Sequence, residues 1–274
     1  MTDPTYALGR SDEEHARLTE QANFLRPLTE RFFREAGIAP GMKVLDVGSG
    51  VGDVAFLLAE LVGRDGKVVG VDIDGGALEK ARKRAGQLEL RNVEFVQGDV
   101  RTMTLPGPFD AAVGRLVLLY CADPVAALAR ISTHVRPKGI VAFQEMDLNE
   151  MAARATYGDS LLASVVATIY RTFAAAGVRT NMSSGLRHAF VEAGLGEPEL
   201  LGEFVVGGGP GYAGYSWLAN TLRSVAPMAR KFEIPLEPLG DLDTLTQRLL
   251  SEAADTKRDF WSPQYVGAFV RTNS

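Results

Sequence analysis

Five short apolar runs, at 43–47, 67–71, 93–96, 109–113 and 139–143, alternate with stretches of helical spacing. The runs are rich in Val, Ile and Phe and are bounded by Gly, Pro or Asp, a pattern of strands buried on both faces. Helices are predicted between them over about 53–62, 76–85 and 123–135. Gly63 and Gly86 close the first two, and Asp123 with Pro124 supplies a cap and first-turn residue for the third. Strand and helix in strict alternation have one compact solution, a parallel sheet covered by helices on both faces.

The flanks read differently. Residues 11–36 are helical in pattern: Ser11 and Glu14 form a capping box, and Leu18, Ala22, Leu25 and Phe32 recur near helical spacing. Pro27 is expected to divide this stretch into two helices. After 147 helices are predicted over about 158–176, 184–193, 214–231 and 241–258, with strands at 199–206 and 264–271. Residues 210–260 therefore read as a helical insertion between the last two strands.

Composition excludes several classes. The chain has 274 residues and a net charge of -5, against a general nucleic-acid or acidic-membrane binder, whose contacts rest on clustered Lys and Arg. The basic run 80–84 reads as the wet face of a helix. A single cysteine, Cys121, and three scattered histidines offer no disulfide framework and no metal-ligand spacing, so no metal is expected. No run approaches the roughly 18 apolar residues of a membrane span, and the acidic N-terminus is unlike a signal peptide; a reduced, cytoplasmic location fits.

The turn after the first strand, VLDVGSGVGD, carries Gly48, Gly50 and Gly52 ahead of a helix. In a sheet of this kind ligands bind at the carboxyl ends of the strands, and this turn approaches them most closely. A dinucleotide fingerprint places its third glycine five residues after the first, whereas here Gly52 follows Gly48 by four, and Asp53 comes next. That carboxylate is expected to repel a pyrophosphate. Asp72 ends the second strand, where an acid accepts from both ribose hydroxyls, and Asp99 ends the third, where an acid can accept from an adenine amino group. With Asp46, three successive strands end in an acid, more than helix capping alone explains.

These motifs resemble the class I S-adenosylmethionine-dependent methyltransferases. The likeness covers 41–147 through VLDVGSGVG, VVGVDID, NVEFVQGDV, FDAAVGRLVLLYCADP and RPKGIVAFQE. It implies an α/β fold: a doubly wound, Rossmann-like, seven-stranded and mostly parallel sheet with an antiparallel last strand. The expected division is an N-terminal helical cap (1–37), a cofactor-binding core (38–209 and 260–274) and a helical lid (210–259). The cofactor implied is S-adenosylmethionine, leaving as S-adenosylhomocysteine. Its contacts are expected at Asp46, Gly48, Ser49, Gly50, Asp72, Ile73, Gly98, Asp99, Val100 and Arg115. The flanks resemble bacterial small-molecule methyltransferases, including the quinone-biosynthesis and natural-product kinds, which adds Tyr6, Arg10 and Gln21 over the methionine end.

Methyl transfer from a sulfonium is an in-line displacement, so alignment and water exclusion matter most. Orientation can supply roughly 7 to 11 kcal/mol, against ~10² to 10⁴-fold from a general base. Groups to orient or deprotonate the acceptor are sought past the fourth and fifth strands: Arg115, Tyr120, Cys121, Glu145 and Asp147, with His188 as an outsider. Tyr212, Tyr215 and Trp217, beside a glycine run, suggest an aromatic acceptor pocket. The expected activity is methyl transfer to O, N or C of a hydrophobic or aromatic small molecule, with no nucleic-acid or membrane partner and a homodimer as the assembly considered. A cofactor-binding cyclase or isomerase of the same fold is the alternative, and an NAD(P)-dependent oxidoreductase a weaker one.

Overall fold

The structure, a computed structural model, describes residues 12–155, 160–209 and 211–273, with 12–23, 154 and 155 as helical backbone only. The first half runs α1 (Asp12–Glu35), β1 (Lys43–Val47), α2 (Asp53–Val62), β2 (Lys67–Asp72), α3 (Gly75–Gln87), β3 (Val93–Gln97) and β4 (Phe109–Arg115). A 3-10 turn, Leu118–Tyr120, leads to α4 (Pro124–Ser132), β5 (Val135–Asp147), α5 (Leu148–Ala155), α6 (Leu161–Ala175) and α7 (Met182–Glu192). The chain closes with β6 (Glu199–Glu203), β7 (Val206–Gly207), α8 (Ala213–Lys231), α9 (Leu245–Thr256), β8 (Phe260–Trp261) and β9 (Gln264–Arg271).

Seven strands form one sheet in the order β3-β2-β1-β4-β5-β9-β6, mostly parallel as expected. The bonds from Lys138 N–H to Thr272 O and from Thr272 N–H to Gly139 O join the start of β5 to the end of β9, so β9 runs antiparallel. Strand order reverses between β1 and β4. Register pairs Val47 with Val71 and Gly114, Asp72 with Gln97, and Arg115 with Gln144. Gly48, Asp72, Gly98, Arg115 and Glu145 therefore leave the sheet along one edge, the carboxyl edge that a reversal opens to ligands.

The chain divides into two compact units. One, Arg26–Glu145, Ser183–Leu201 and Val266–Ser274, holds most of the sheet. Its core joins Phe32 and Phe33 of α1 to Leu58, Val68, Val113 and Ile140. The other, built on Met146–Met182 and Gly202–Tyr265 with α1 up to Leu25, is mainly helical, with α6 packed on α5, α8 and α9. There Glu252 of α9 accepts the N–H groups of Leu161 and Leu162 at 2.7 and 3.1 Å, satisfying donors that open α6.

Three expectations are corrected. Pro27 does not divide α1, which runs unbroken from Asp12 to Glu35. An interior proline costs a helix about 3 kcal/mol. Leu28, Phe32 and Phe33 just beyond it are buried, and each such side chain returns about 1.5–3 kcal/mol. The strand expected over 199–206 ends at Glu203, and Val206–Gly207 pairs instead with Phe260–Trp261 in a separate antiparallel ribbon. Alternation along one run cannot show a change of partner. The fifth strand is much longer than 139–143, because a register shift between Phe109 and Ala111 lets β5 pair on both sides of the irregularity.

Candidate functional site

The glycines of the first strand-to-helix turn serve different ends. Gly48 has φ +68°, and a Cβ there would lie 2.7 Å from Cγ2 of Val117. It is bare because protein packs on it. Gly50 has φ +52°, and a Cβ there would meet nothing within 4 Å. The turn is tied down by Gly48 and Ser49 N–H to Val71 O, at 2.8 and 3.1 Å, and by Gly50 N–H to Asp72 Oδ2 at 2.8 Å. Of the three glycines only Gly50 would carry a Cβ into open space, although the main chain of Gly48 is itself exposed.

Asp53 is not the uncompensated charge that its position suggests. Arg84 of α3 pairs with it at 2.6 Å and also donates to Val51 O at 2.7 Å, clamping the turn from behind. Repulsion of a pyrophosphate by Asp53 is thus weaker than expected. The acid that dominates the site is Asp46, only 1% exposed, with neither oxygen hydrogen-bonded among the described residues. Burial pushes its carboxyl well above the usual range, Arg115 pulls it back, and the Asp72 and Asp53 charges push it further up. The main-chain N–H of Ala55, outside full hydrogen-bond geometry, favours the ionised form. Ser49 Oγ is likewise buried without a partner.

Asp72 ends β2 with Oδ2 on Gly50 N–H and Oδ1 accepting Asp74 N–H at 2.8 Å, so both carboxylate oxygens are fixed in direction. Ile73 beside it is 56% exposed, an apolar side chain held in the open. Asp99 is gripped by Arg101, whose Nε and main-chain N reach Oδ1 at 2.8 and 2.9 Å and whose second nitrogen reaches Oδ2 at 2.7 Å. That bonding holds the Asp99 carboxyl below its usual range. A carboxylate accepts about four bonds, which leaves Oδ2 able to take one more. Gly98 lies against Met103, and Val100 is buried. Tyr6 and Arg10 lie outside the described residues, and Gln21 is a backbone position of α1.

The groups considered for acceptor chemistry are placed as follows. Glu145 is fully buried, and its oxygens accept the N–H groups of Val117, Leu118 and Leu119 at 3.0, 2.8 and 3.3 Å. Burial pushes its carboxyl up to about 7 despite these bonds. Asp147 ends β5 and accepts from Asn149 and Glu150 N–H at 2.8 and 3.2 Å, opening α5. His188 lies on the exposed face of α7. Cys121 Sγ turns back to Val117 O at 3.7 Å, next to Tyr120 in the turn.

Residues 38–193 match the family described as a methyltransferase domain, more than half of the chain. The chain belongs to the class I methyltransferase family. Aklanonic acid methyltransferase DauC of Streptomyces sp. (strain C5) is 35% identical over 140 residues, 51% of this chain and 63% of DauC. The ubiquinone/menaquinone biosynthesis C-methyltransferase UbiE of Coxiella burnetii is 32% identical over 114 residues, 41% of this chain and 46% of UbiE. The matched region thus spans less than two thirds of either curated relative. Among solved structures, a putative methyltransferase of Bacillus halodurans aligns with TM-score 0.58 at 16% identity, over 90% of this chain and 99% of that one. The [4+2]-cyclase SpnF aligns with TM-score 0.55 at 21% identity, over 90% and 80%. At such identities both show the fold alone.

S-adenosylmethionine is the cofactor of this methyltransferase class, and the residues present fit it. An acid buried without a hydrogen-bond partner is costly unless a cation or donor meets it. Asp46 is such an acid, close enough to Asp72 and Asp53 to feel their charges, and an ammonium or sulfonium suits that field where a second anion does not. The match to methyltransferases leaves the oxidoreductase reading without support.

Sequence reasoning missed the polar brace of the methyltransferase sheet. Thr29 of α1 donates to Gln144 Oε1 at 2.9 Å, and Arg115 donates to Thr29 Oγ1 at 3.1 Å. Both Thr29 and Gln144 are buried. The available signal was Gln144 itself, a polar residue within the apolar run IVAFQE. In the mainly helical unit, Tyr212, Tyr215 and Trp217 pack with Phe260 at centroid distances of 5.7, 5.4 and 6.3 Å, and Phe24 stacks on Trp217 at 5.3 Å. Trp217 is 4% exposed, yet its Nε1 and the Tyr212 hydroxyl have no hydrogen-bond partner among the described residues.

Proposed function

We propose that the chain transfers the methyl group of S-adenosylmethionine to O, N or C of an aromatic or hydrophobic small molecule. The observation that carries the reading is the buried, unbonded Asp46 beside a turn whose Gly50 faces open space. In this reading Asp72 receives the ribose hydroxyls, Ile73 covers the adenine and Asp99 Oδ2 takes the adenine amino group. Asp46 and Ser49 meet the methionine ammonium, and Arg115, steadied by Thr29, meets its carboxylate. The bound sulfonium supplies an electrophilic methyl and a neutral thioether leaving group.

The chain's own part is alignment. Glu145 and Asp147 direct oxygens to main-chain N–H groups, so we rest the rate on orientation and exclusion of water, with the roughly 7 to 11 kcal/mol that alignment can provide. The acceptor is assigned to the aromatic cluster of α8 and Phe260. The Trp217 and Tyr212 donors, buried without a partner among the described residues, favour an acceptor bearing carbonyl or phenol oxygens. The names of the relatives, with aklanonic acid and ubiquinone or menaquinone, support quinone-type or natural-product acceptors.

The test is direct. Protein supplied with S-adenosylmethionine and a panel of quinone-type phenols and aklanonic acid is expected to release S-adenosylhomocysteine with one acceptor class. Cofactor binding without that release across the panel favours a non-methylating protein of the same fold. Binding of NADH without S-adenosylmethionine overturns the cofactor as well.

A further inference from the structure

Glu145 sits on β5, one residue past the Arg115–Gln144 pair that closes the register with β4. The main chain it contacts is a weak element. A lone 3-10 turn is short and leaves its opening N–H groups without internal partners. The turn is approached through Leu116, whose φ of +57° is left-handed and costly for a residue with a branched side chain. Such a backbone persists only where its surroundings over-determine it. Here β5 does so: Leu116 N–H donates to Gln144 O at 2.9 Å, and the next three N–H groups all go to Glu145.

Val117 is the consequence of that hold. Its Cγ2 lies so close to Gly48 that a methyl group there would stand 2.7 Å away. Gly48 in turn opens the segment that ends at Gly50 on Asp72. A line of contacts therefore runs from the Glu145 carboxylate through Val117 to the glycine turn. A general base needs a lone pair that reaches the acceptor, whereas Glu145 is wholly inaccessible and engaged by three donors.

We propose that Glu145 is a positioning residue for the cofactor: by capping the turn Leu118–Tyr120 from the neighbouring strand, it holds Val117 against Gly48 and fixes one wall of the glycine turn. This rests on the reading of that turn as the S-adenosylmethionine site. Among the described residues the Glu145 carboxylate is hydrogen-bonded only by main-chain N–H groups, so its effect passes through the backbone. Cofactor and cap must then support each other, since coupling between two equilibria is reciprocal.

The experiment uses the full chain with S-adenosylhomocysteine as probe, calorimetry for affinity and hydrogen exchange for the cap. Glu145→Gln is expected to weaken binding about tenfold and to speed exchange at Val117, Leu118 and Leu119 while β1 and β2 amides keep their protection. Combined with Val117→Ala, the loss in affinity should fall short of the product of the single losses, as for residues on one path. A general effect on the fold would instead loosen β1 and β2 as well. Wild-type protein provides a second arm should the variant not fold: added S-adenosylhomocysteine should slow exchange at Leu118 and Leu119. Unchanged affinity in Glu145→Gln, multiplicative losses, or no response of those amides to ligand overturns the positioning role while leaving the cofactor site standing. Failure of the wild type to bind S-adenosylhomocysteine overturns the cofactor site and the role together.

Discussion

Asp72 Oδ2 accepts the main-chain N–H of Gly50 at 2.8 Å, so the acid that ends β2 is bonded to the one glycine of the turn at which a Cβ would meet nothing within 4 Å. In the proposed reading the acid assigned to the ribose thus also shapes the glycine turn beside it. Asp72→Ala removes both roles, and hydrogen bonds to charged groups are worth about 1.5–3 kcal/mol. Affinity for S-adenosylhomocysteine is expected to fall at least about tenfold, since roughly 1.4 kcal/mol is a factor of ten. Calorimetry with an unchanged dissociation constant would remove Asp72 from the site.

Gly48 and Gly50 should respond in opposite ways to the same substitution. Both carry positive φ, a backbone that costs alanine on the order of 1–2 kcal/mol. Gly48→Ala adds a 2.7 Å contact with Val117 to that strain, whereas Gly50→Ala adds a methyl in open space. Gly48→Ala is expected to lower the melting temperature clearly more than Gly50→Ala. Gly50→Ala should show the larger loss of cofactor affinity for each degree of melting temperature lost. Equal ratios in the two variants would mean that the cofactor does not approach Gly50.

The sheet was legible because it rests on local signals: apolar runs of strand length and glycine stops. The candidate acids Asp46, Asp72 and Asp99 are chosen on position alone. Their electrostatics were not legible, because these depend on partners distant in sequence. Asp53 looked like an open charge until Arg84, 31 residues away, met it. Glu145 looked like a candidate base because its main-chain partners, 26 to 28 residues back, are set only when β5 pairs with β4. Pro27 misled for the converse reason: a strong local signal yielded to burial of Leu28, Phe32 and Phe33.

Trp217→Phe keeps a large ring against Phe24 and Phe260 and removes only the indole N–H. If the α8 cluster receives an oxygen-bearing acceptor, the variant should raise the acceptor KM several-fold while cofactor affinity stays within error. Loss of one buried hydrogen bond, about 0.5–1.5 kcal/mol, sets that scale. A KM that does not move, measured with whichever acceptor turns over, would return Trp217 to packing.

Asp46 and Glu145 should make the ligand-free fold less stable as pH rises. Both carboxyls are raised by burial, Asp46 well above 3.8 and Glu145 from 4.5 to about 7. Between those values the folded chain binds protons that the unfolded chain has released, so each increment of pH favours unfolding. Glu145 thus adds stability in full below pH 4.5 and loses it as pH rises through about 7. His134 acts in the opposite sense, because burial and the nearby Arg130 lower it below 6.5. Comparing wild type with Glu145→Gln cancels that contribution. Urea midpoints from pH 5 to 8 should fall for wild type relative to Glu145→Gln, and Asp46→Asn should flatten the curve further. Saturating S-adenosylhomocysteine should remove the share due to Asp46, because its ammonium favours the ionised acid, and should leave the share due to Glu145. A wild-type midpoint that rises against both variants over this range would mean that neither carboxyl is protonated in the fold.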